Sequence, residues 1–398
     1  MARQRRRGLR VAILSLVAIL IIVGAAAAIY LSNINARLSS KVSQDLREQL
    51  VEVKPEETFY LLLLGVDKDQ GRLQDSENYG TSETAYRSDS IMLCRIDPKN
   101  IKVTMVSIHR DTLVYLRGGK ADKINASYSM GGPAYTTQVV SEFCDVPISH
   151  YAEVDLDRFI SIVDVVGGVT VDLPVPVYDP EYTGLDLPAG IQTLNGEEAA
   201  LLCRCRHGYD KYGDGDRYRA ANQRMVFTEI IKKVLQSDPA TMASTITTMA
   251  DSVTTDLDLV QILDLATQMS SLNVETDIMT GMEPTEGVFY NETWYEICLK
   301  DQWRKMMMRV YQGLPPYDES DGEYDSTAGV AGGVGEEGER AAEAAGTPEV
   351  IETPEEDYEE ETYDDSYYDD SDDYGYGYNS YGYNSYGYNT YGYNSYGY

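Results

Sequence analysis

Positive charge is scarce in this 398-residue chain: 33 lysines and arginines face 65 aspartates and glutamates, a formal net charge of −32. A surface of that sign repels a phosphate backbone. It excludes nucleic acid as a general partner and argues against a DNA-binding regulator, which would need a basic face. Histidine is rarer still. The three present (His109, His150 and His207) have no metal-ligand spacing and read as structural or surface groups. The five cysteines (94, 144, 203, 205 and 298) are odd in number and scattered, so they build no disulfide framework. Cys203 and Cys205 are too close for a CxxC redox pair and lack the second pair of a zinc site. All five are expected to act as small buried hydrophobes. No GxxxxGK[ST] loop occurs, which excludes a P-loop nucleotidase, and no GxSxG nucleophile motif is present.

What is present is segregated along the chain. The first ten residues include Arg3, Arg5, Arg6, Arg7 and Arg10, and Val11 to Leu31 then runs with almost no polar side chain. About 20 apolar residues is the length of a membrane-spanning helix, and longer than the roughly 7–15 residues of a cleaved signal segment. The basic flank should stay in the cytoplasm, placing everything after Leu31 outside. The expected organisation is a cytoplasmic segment (1–10), a transmembrane helix (11–31), a polar stalk (32–57), a folded extracytoplasmic domain (58–314) and a tail (315–398). The tail, from Tyr317, holds about 23 acidic residues against one basic residue, Arg340, and ends in repeats of Tyr-Gly-Tyr-Asn-Ser/Thr. No core can be built from that composition, so disorder is expected; the tyrosines also allow an adhesive or self-associating role.

Within the folded region, Phe59 to Val66 (FYLLLLGV) is a continuous apolar run, as for a strand buried on both faces. Ser90–Ile96 and Lys102–Ile108 read as two strands joined by a turn over Asp97–Asn100. Asp155 is expected to cap a helix over Leu156–Val166 closed by Gly167. A short strand follows at Val169–Leu173, then a helix capped by Asn195 and an extended Leu202–Arg206. Helices are predicted over Arg219–Gln236, Leu257–Ser270 and Glu292–Gln312. Strands interleaved with helices make an α/β layered domain.

Polar residues sit where these elements end. Asp67 follows the first strand, Arg87 and Asp89 precede the second, and Arg110 and Asp111 follow the third. Strand ends in open α/β sheets are where ligands bind. In an extended 202–206 segment, Arg204 and Arg206 would share one face and the cysteines the other. Asp216 is placed just ahead of the next helix as a cap, and Arg219 and Gln223, four apart, project from one side of it. Arginine forks match phosphate oxygens, and carboxylates beside phosphates suit a hard cation such as Mg²⁺. The residues therefore point to phosphate or pyrophosphate recognition with a metal. Outside the membrane there is no ATP, so the donor must arrive activated, and a pyrophosphate-linked lipid fits that need.

Seven ordered blocks carry a resemblance. They are LLLLGVD (Leu61–Asp67), RSDSIML (Arg87–Leu93), SIHRDT (Ser107–Thr112), KINASYSMGG (Lys123–Gly132), VDVVGGVTVDLP (Val163–Pro174), LNGEEAALLCRCR (Leu194–Arg206) and GDGDRYRAANQR (Gly213–Arg224). Over roughly residues 59–235 the chain resembles the LytR-CpsA-Psr family of cell-wall glycopolymer phosphotransferases. The resemblance implies a three-layer α-β-α sandwich around a central mixed sheet, and transfer of a teichoic acid or capsular polysaccharide from a polyprenyl-pyrophosphate carrier to peptidoglycan. It implies Mg²⁺, or Mn²⁺ in its place, on Asp67 and Asp89. It assigns pyrophosphate binding to Arg87, Arg110, Arg204, Arg206 and Arg219, with Asp216 and Gln223 as further polar positions. Arg110 would stabilise developing charge, and Asp89 or Asp111 would take the acceptor's proton. His109 stands where the family usually has proline, Asn222 where arginine is common, and Leu113 and Val114 where some members carry another arginine. A hydrolase using water at the same site and a non-catalytic surface protein are the competing readings.

Overall fold

A computed structural model describes residues 28–67, 87–212, 215–290 and 293–318. The basic segment, all but the end of the apolar run and nearly all of the acidic tail lie outside the described residues, as does the segment between Asp67 and Arg87. Among the described residues no helix is long and apolar enough to cross a membrane.

The centre is a six-stranded mixed sheet. Its members are β1 (Phe59–Asp67), β2 (Arg87–Asp97), β3 (Lys102–Ile108), β6 (His150–Asp155), β11 (Val253–Thr255) and β12 (Ile278–Met282), in the order β11-β6-β1-β2-β3-β12. β1 is parallel to β6 and β3 to β12, and the other pairings are antiparallel. Alternation along β1 explains its unbroken apolar run. Leu63 faces one core with Met92 and Met105, while Leu62, Leu64 and Val66 face a second core with Ile91 and Leu93. Helices cover both faces, giving the expected α/β arrangement around a mixed sheet.

On the second face lie α1 (Gln44–Gln49), α2 (Ala126–Cys144) and α8 (Lys300–Tyr311), which bury Leu46, Val140 and Trp303. On the first lie α3 (Leu156–Val165), α4 (Gly196–Leu202) and α5 (Gly215–Leu235), burying Val163, Leu202 and Val226. α6 (Pro239–Met249) and α7 (Leu259–Gln268) form a smaller cluster beside them. Among the described residues there are also four two-stranded ribbons: β4 (Leu113–Leu116) with β5 (Lys120–Lys123), β7 (Val169–Leu173) with β10 (Gly190–Leu194), β8 (Val177–Asp179) with β9 (Leu185–Leu187), and β13 (Thr285–Tyr290) with β14 (Thr293–Cys298).

Local signals account for most boundaries. Asn195 and Glu198 make a reciprocal capping box at α4. Asp258 and Gln261 do the same at α7, and Asp238 caps α6 with Pro239 at its first position. No disulfide forms, and four of the five cysteines are buried.

Three expectations need correction. Residues 32–57 are not a free polar stalk. A helix over 28–38 buries Ile34 and Leu38 against Met242, Ile246 and Leu259, and α1 fully buries Leu46. The helix expected over 292–312 begins only at Lys300, because Thr293–Cys298 pairs with Thr285–Tyr290 as a hairpin rich in β-branched and aromatic residues. Leu202–Arg206 is not extended: Leu202 ends α4, Cys203 keeps helical angles (φ −67°, ψ −13°), and the Cys205 N–H bonds back to Leu201 O.

Candidate active site

Four sheet strands end together. The last residue of β1 (Asp67), the first residues of β2 (Arg87 to Asp89), the residues after β3 (His109 to Thr112) and the residue after β12 (Glu283) share one edge of the sheet. In the β1–β2 ladder Gly65 pairs with Ser90 and Val66 with Ser88, so Asp89 is the extra residue of a β-bulge. Bulges re-aim side chains beside active sites, and this one turns Asp89 to Arg110.

Arg110 is the hub. Its Nη1 donates to Asp89 Oδ1 at 2.8 Å, and its Nε lies 3.7 Å from Asp111 Oδ2 and 3.8 Å from Asp216 Oδ2. Burial opposes the Arg110 charge, but Asp216, Asp89 and Asp111 outweigh it and hold its pKa above the ordinary value. Asp216 lies in the first turn of α5, not ahead of it, and gathers further cations: Arg219 Nη1 at 3.0 Å and Arg206 Nε at 3.8 Å. Burial would raise the Asp216 carboxyl, yet Arg219, His109, Arg110 and Arg206 keep it below its usual range. Burial also pulls Arg219 below the ordinary arginine value, against the pull of Asp216. Gly215 makes this approach possible. A Cβ there would sit 2.6 Å from Arg206 O, so only glycine lets α5 begin against that backbone.

The other expected residues are placed as follows. Arg87 is exposed at the start of β2, opposite Asp67 in the ladder. Arg204 is exposed on the turn after α4. Gln223 Nε2 donates to Cys203 O at 3.0 Å, tying α5 to the turn that carries both arginines.

Three contributors were not read from the sequence. Lys123 Nζ bonds Asp111 Oδ1 at 2.9 Å. Arg224, buried, donates to Ser107 Oγ at 2.8 Å at the end of β3. His109, expected as a structural or surface group, is buried in the cluster with Nε2 3.7 Å from Asp216 Oδ2. The Asp111 N–H donates to His109 Nδ1 at 3.2 Å, which makes Nδ1 the acceptor and puts the ring proton on Nε2. Position alone could have flagged His109 and Lys123, since one sits between a strand end and Arg110 and the other opens a motif block.

Two metal arrangements can be weighed on these contacts. His109, Asp111 and Asp216 come within 4.8 Å of one another. They make a poor cation site, because His109 presents a donor and each carboxylate is already engaged by cationic side chains. Asp67 and Asp89 lie at one end of adjacent strands; they are hard oxygen donors of the kind Mg²⁺ takes, with Asp89 also bonded to Arg110. The cluster also holds buried donors without hydrogen-bond partners, Arg110 Nε, Arg219 Nε and His109 Nε2. Carboxylate oxygens 3.7–3.8 Å from two of them offer charge without a hydrogen bond, so the oxygens of an anion could complete these donors.

An apolar cavity of about 320 Å³ lies against the same helix. It is lined by Leu61, Leu63 and Met105 from the sheet and by Phe227, Ile230 and Ile231 from α5, with Leu38 of the 28–38 helix also on its wall. Asp216, Arg219, Gln223, Phe227, Ile230 and Val234 follow one another at three- and four-residue steps, which is one stripe of a helix. The stripe is polar over its first half and apolar over its second. At 1.5 Å per residue its two ends are roughly 27 Å apart.

The LytR_cpsA_psr family model matches residues 23–310. The chain is 31% identical over 303 residues to the polyisoprenyl-teichoic acid–peptidoglycan teichoic acid transferase TagV of Bacillus subtilis, covering 72% of this chain and 73% of that protein. It is 35% identical over 199 residues to Biofilm regulatory protein A of Streptococcus mutans, covering 47% of this chain and only 46% of that relative's length. The crystal structure of B. subtilis TagV superposes with a TM-score of 0.56 at 28% identity, over 66% of this chain and 98% of that one. A family match across most of the chain, on the same mixed-sheet fold, places this protein in the LytR_cpsA_psr family.

Proposed function

We propose that this protein is an extracytoplasmic phosphotransferase that moves an anionic glycopolymer, of teichoic acid or capsular polysaccharide type, from a polyprenyl-pyrophosphate carrier to peptidoglycan. The observation that carries this reading is the single stripe on α5, polar where it meets Arg110 and its arginine neighbours and apolar along the cavity. A molecule with a doubly charged head and a hydrocarbon chain matches both halves at once. The apolar run at 11–31 has the length of a membrane anchor, which would hold the domain beside such a lipid.

In this mechanism the arginines take the pyrophosphate. Arg110, Arg206 and Arg219 meet around Asp216 and would take the phosphates, and Arg87 and Arg204, exposed on β2 and on the turn after α4, would add to them from the rim. Asp67 and Asp89 would hold Mg²⁺, or Mn²⁺, whose chemistry is to neutralise phosphate oxygens and lower the cost of attack. The acceptor hydroxyl of peptidoglycan forms a bond to the glycan-bearing phosphorus, and the bond from that phosphorus to the bridging oxygen breaks. Polyprenyl phosphate leaves, its charge compensated by the arginines. The hydroxyl proton passes to Asp89 or Asp111; Asp111, held by Lys123 at 2.9 Å, lies beside Arg110. Incubating the full chain in detergent with labelled polyprenyl-pyrophosphate glycan and peptidoglycan oligomers tests this. Transfer of label to the oligomer is expected, and release of label to water alone would mark a hydrolase.

A further inference from the structure

A carboxyl that this chemistry leaves unused lies directly behind the Arg110–Asp111 loop. Glu283 follows β12 and is fully buried. Its Oε2 accepts the backbone N–H of His109 at 3.0 Å and the hydroxyl of Thr112 at 2.8 Å. Its own N–H donates to Ser107 O at 2.8 Å. The two groups it holds bracket Arg110 and Asp111. Within that bracket the Thr112 N–H closes on His109 O at 3.1 Å, and the Asp111 N–H closes on His109 Nδ1 at 3.2 Å.

The residues after Glu283 continue the same support. The Glu296 N–H donates to Asp111 O at 3.0 Å. Thr285 O accepts from Arg217 Nη2 at 3.3 Å, and Arg217 lies in the first turn of α5 next to Asp216. One stretch of chain, 283–296, therefore grips both banks of the site, the loop after β3 and the start of α5. Packing alone does not explain a carboxyl here, because an apolar side chain of similar size would fill the space without the cost of burying a polar group.

Building on the transferase reading, we propose that Glu283 is a positioning residue for the reaction. Its Oε2 fixes the backbone at His109 and the side chain at Thr112, so that Arg110 stays directed at Asp89 and Asp216, and Asp111 at Lys123. It touches no reacting atom. Arg206 and Arg219 stand on other segments and still hold the donor when Arg110 shifts, so donor binding should weaken far less than the transition-state geometry. A displacement of about 1 Å in such a group costs roughly 100-fold in rate.

The test uses the full chain in detergent with labelled lipid-linked donor. Glu283→Ala is expected to lower kcat roughly 100-fold, with the donor KM within about threefold. Glu283→Gln, whose amide oxygen can still accept both bonds, should recover to within about fivefold of wild type, and Thr112→Val, which loses one bond, should fall about tenfold. A folded Glu283→Ala with near wild-type kcat would overturn the proposal, as would a Glu283→Gln variant no better than alanine. If the alanine variant does not fold, an unchanged kcat in Thr112→Val overturns it instead. Hydrogen exchange at the His109 and Asp111 amides is read in parallel and should accelerate in Glu283→Ala but not in Glu283→Gln. Absence of any wild-type turnover would sink the transferase reading, whereas unchanged exchange in Glu283→Ala would sink the positioning role.

Discussion

Replacing Glu283 with glutamine should remove a loss of stability that the wild-type protein suffers as pH rises from 5 to 7.5. Burial pushes the Glu283 carboxyl up to about 8, against the hydrogen bonds from Thr112 and His109 that favour its charged form. In the unfolded chain the same group ionises near 4.5. Between those values the folded state holds a proton that the unfolded state has released, so stability falls as pH rises across that window. Below about 4.5 both states are protonated and the penalty is absent; above about 8 both are ionised and it no longer grows. One pKa unit corresponds to about 1.4 kcal/mol, so the 2.5 units from pH 5 to 7.5 amount to roughly 3 kcal/mol. Glutamine keeps an acceptor oxygen for His109 and Thr112 and cannot ionise. Urea denaturation of both proteins at a series of pH values, followed by fluorescence of the buried Trp303, gives the two stability profiles. The variant should gain roughly 3 kcal/mol on the wild type across the window, all other titrations cancelling. Parallel profiles, differing by less than about 1 kcal/mol in slope across the window, would refute the claim that burial keeps this carboxyl neutral.

Other consequences follow from the same geometry. Ile231→Trp places a larger ring in the apolar cavity, so KM for a long-chain donor should rise about tenfold or more, while a short-chain or soluble pyrophosphate donor should be nearly unaffected; equal effects on both would detach the cavity from the lipid. Gly215→Ala drives a Cβ to 2.6 Å from Arg206 O. It should cost about 1–3 kcal/mol in urea denaturation and lower kcat by displacing Asp216 and Arg219, and wild-type turnover in this variant would show that the approach of α5 to Arg206 is dispensable.

The features legible in the sequence are those whose signal is local. An apolar run too long to alternate marked β1 as buried on both faces, and the charges at strand ends, Asp67, Arg87, Asp89 and Arg110, were placed by one rule about where open sheets bind ligands. Arg204 and Arg206 came out on the open side of the Cys203–Arg206 segment, but for another reason. The alternation with Cys203 and Cys205 arises from a turn that continues α4, and a period of two over four residues does not separate a turn from a strand. Hydrophobic periodicity starts α5 only at Arg219, because its first turn is largely polar, whereas Gly215 already lies in the helix against Arg206. β14 falls inside the expected 292–312 helix although its pairing is local, Tyr290 against Thr293, because six residues are too few for periodicity to separate a strand from the start of a helix. Glu283 had no local signature: its partners His109 and Thr112 are 174 and 171 residues away, and the short β12 that delivers it was not read as a strand. Ile34 and Leu38 were lost in the polar average of their segment, although their spacing of four is that of one helix face.

The most direct test of the central claim is transfer by the purified full chain, with and without Mg²⁺, alongside Arg110→Ala. The donor is a radiolabelled polyprenyl-pyrophosphate glycan and the acceptors are peptidoglycan oligomers. The account predicts metal-dependent movement of label onto the oligomers, reduced by about 100-fold or more in the variant, because Arg110 joins Asp89, Asp111 and Asp216 at the point where charge develops. A folded wild-type protein that transfers nothing, or a variant that transfers as well as wild type, would contradict it.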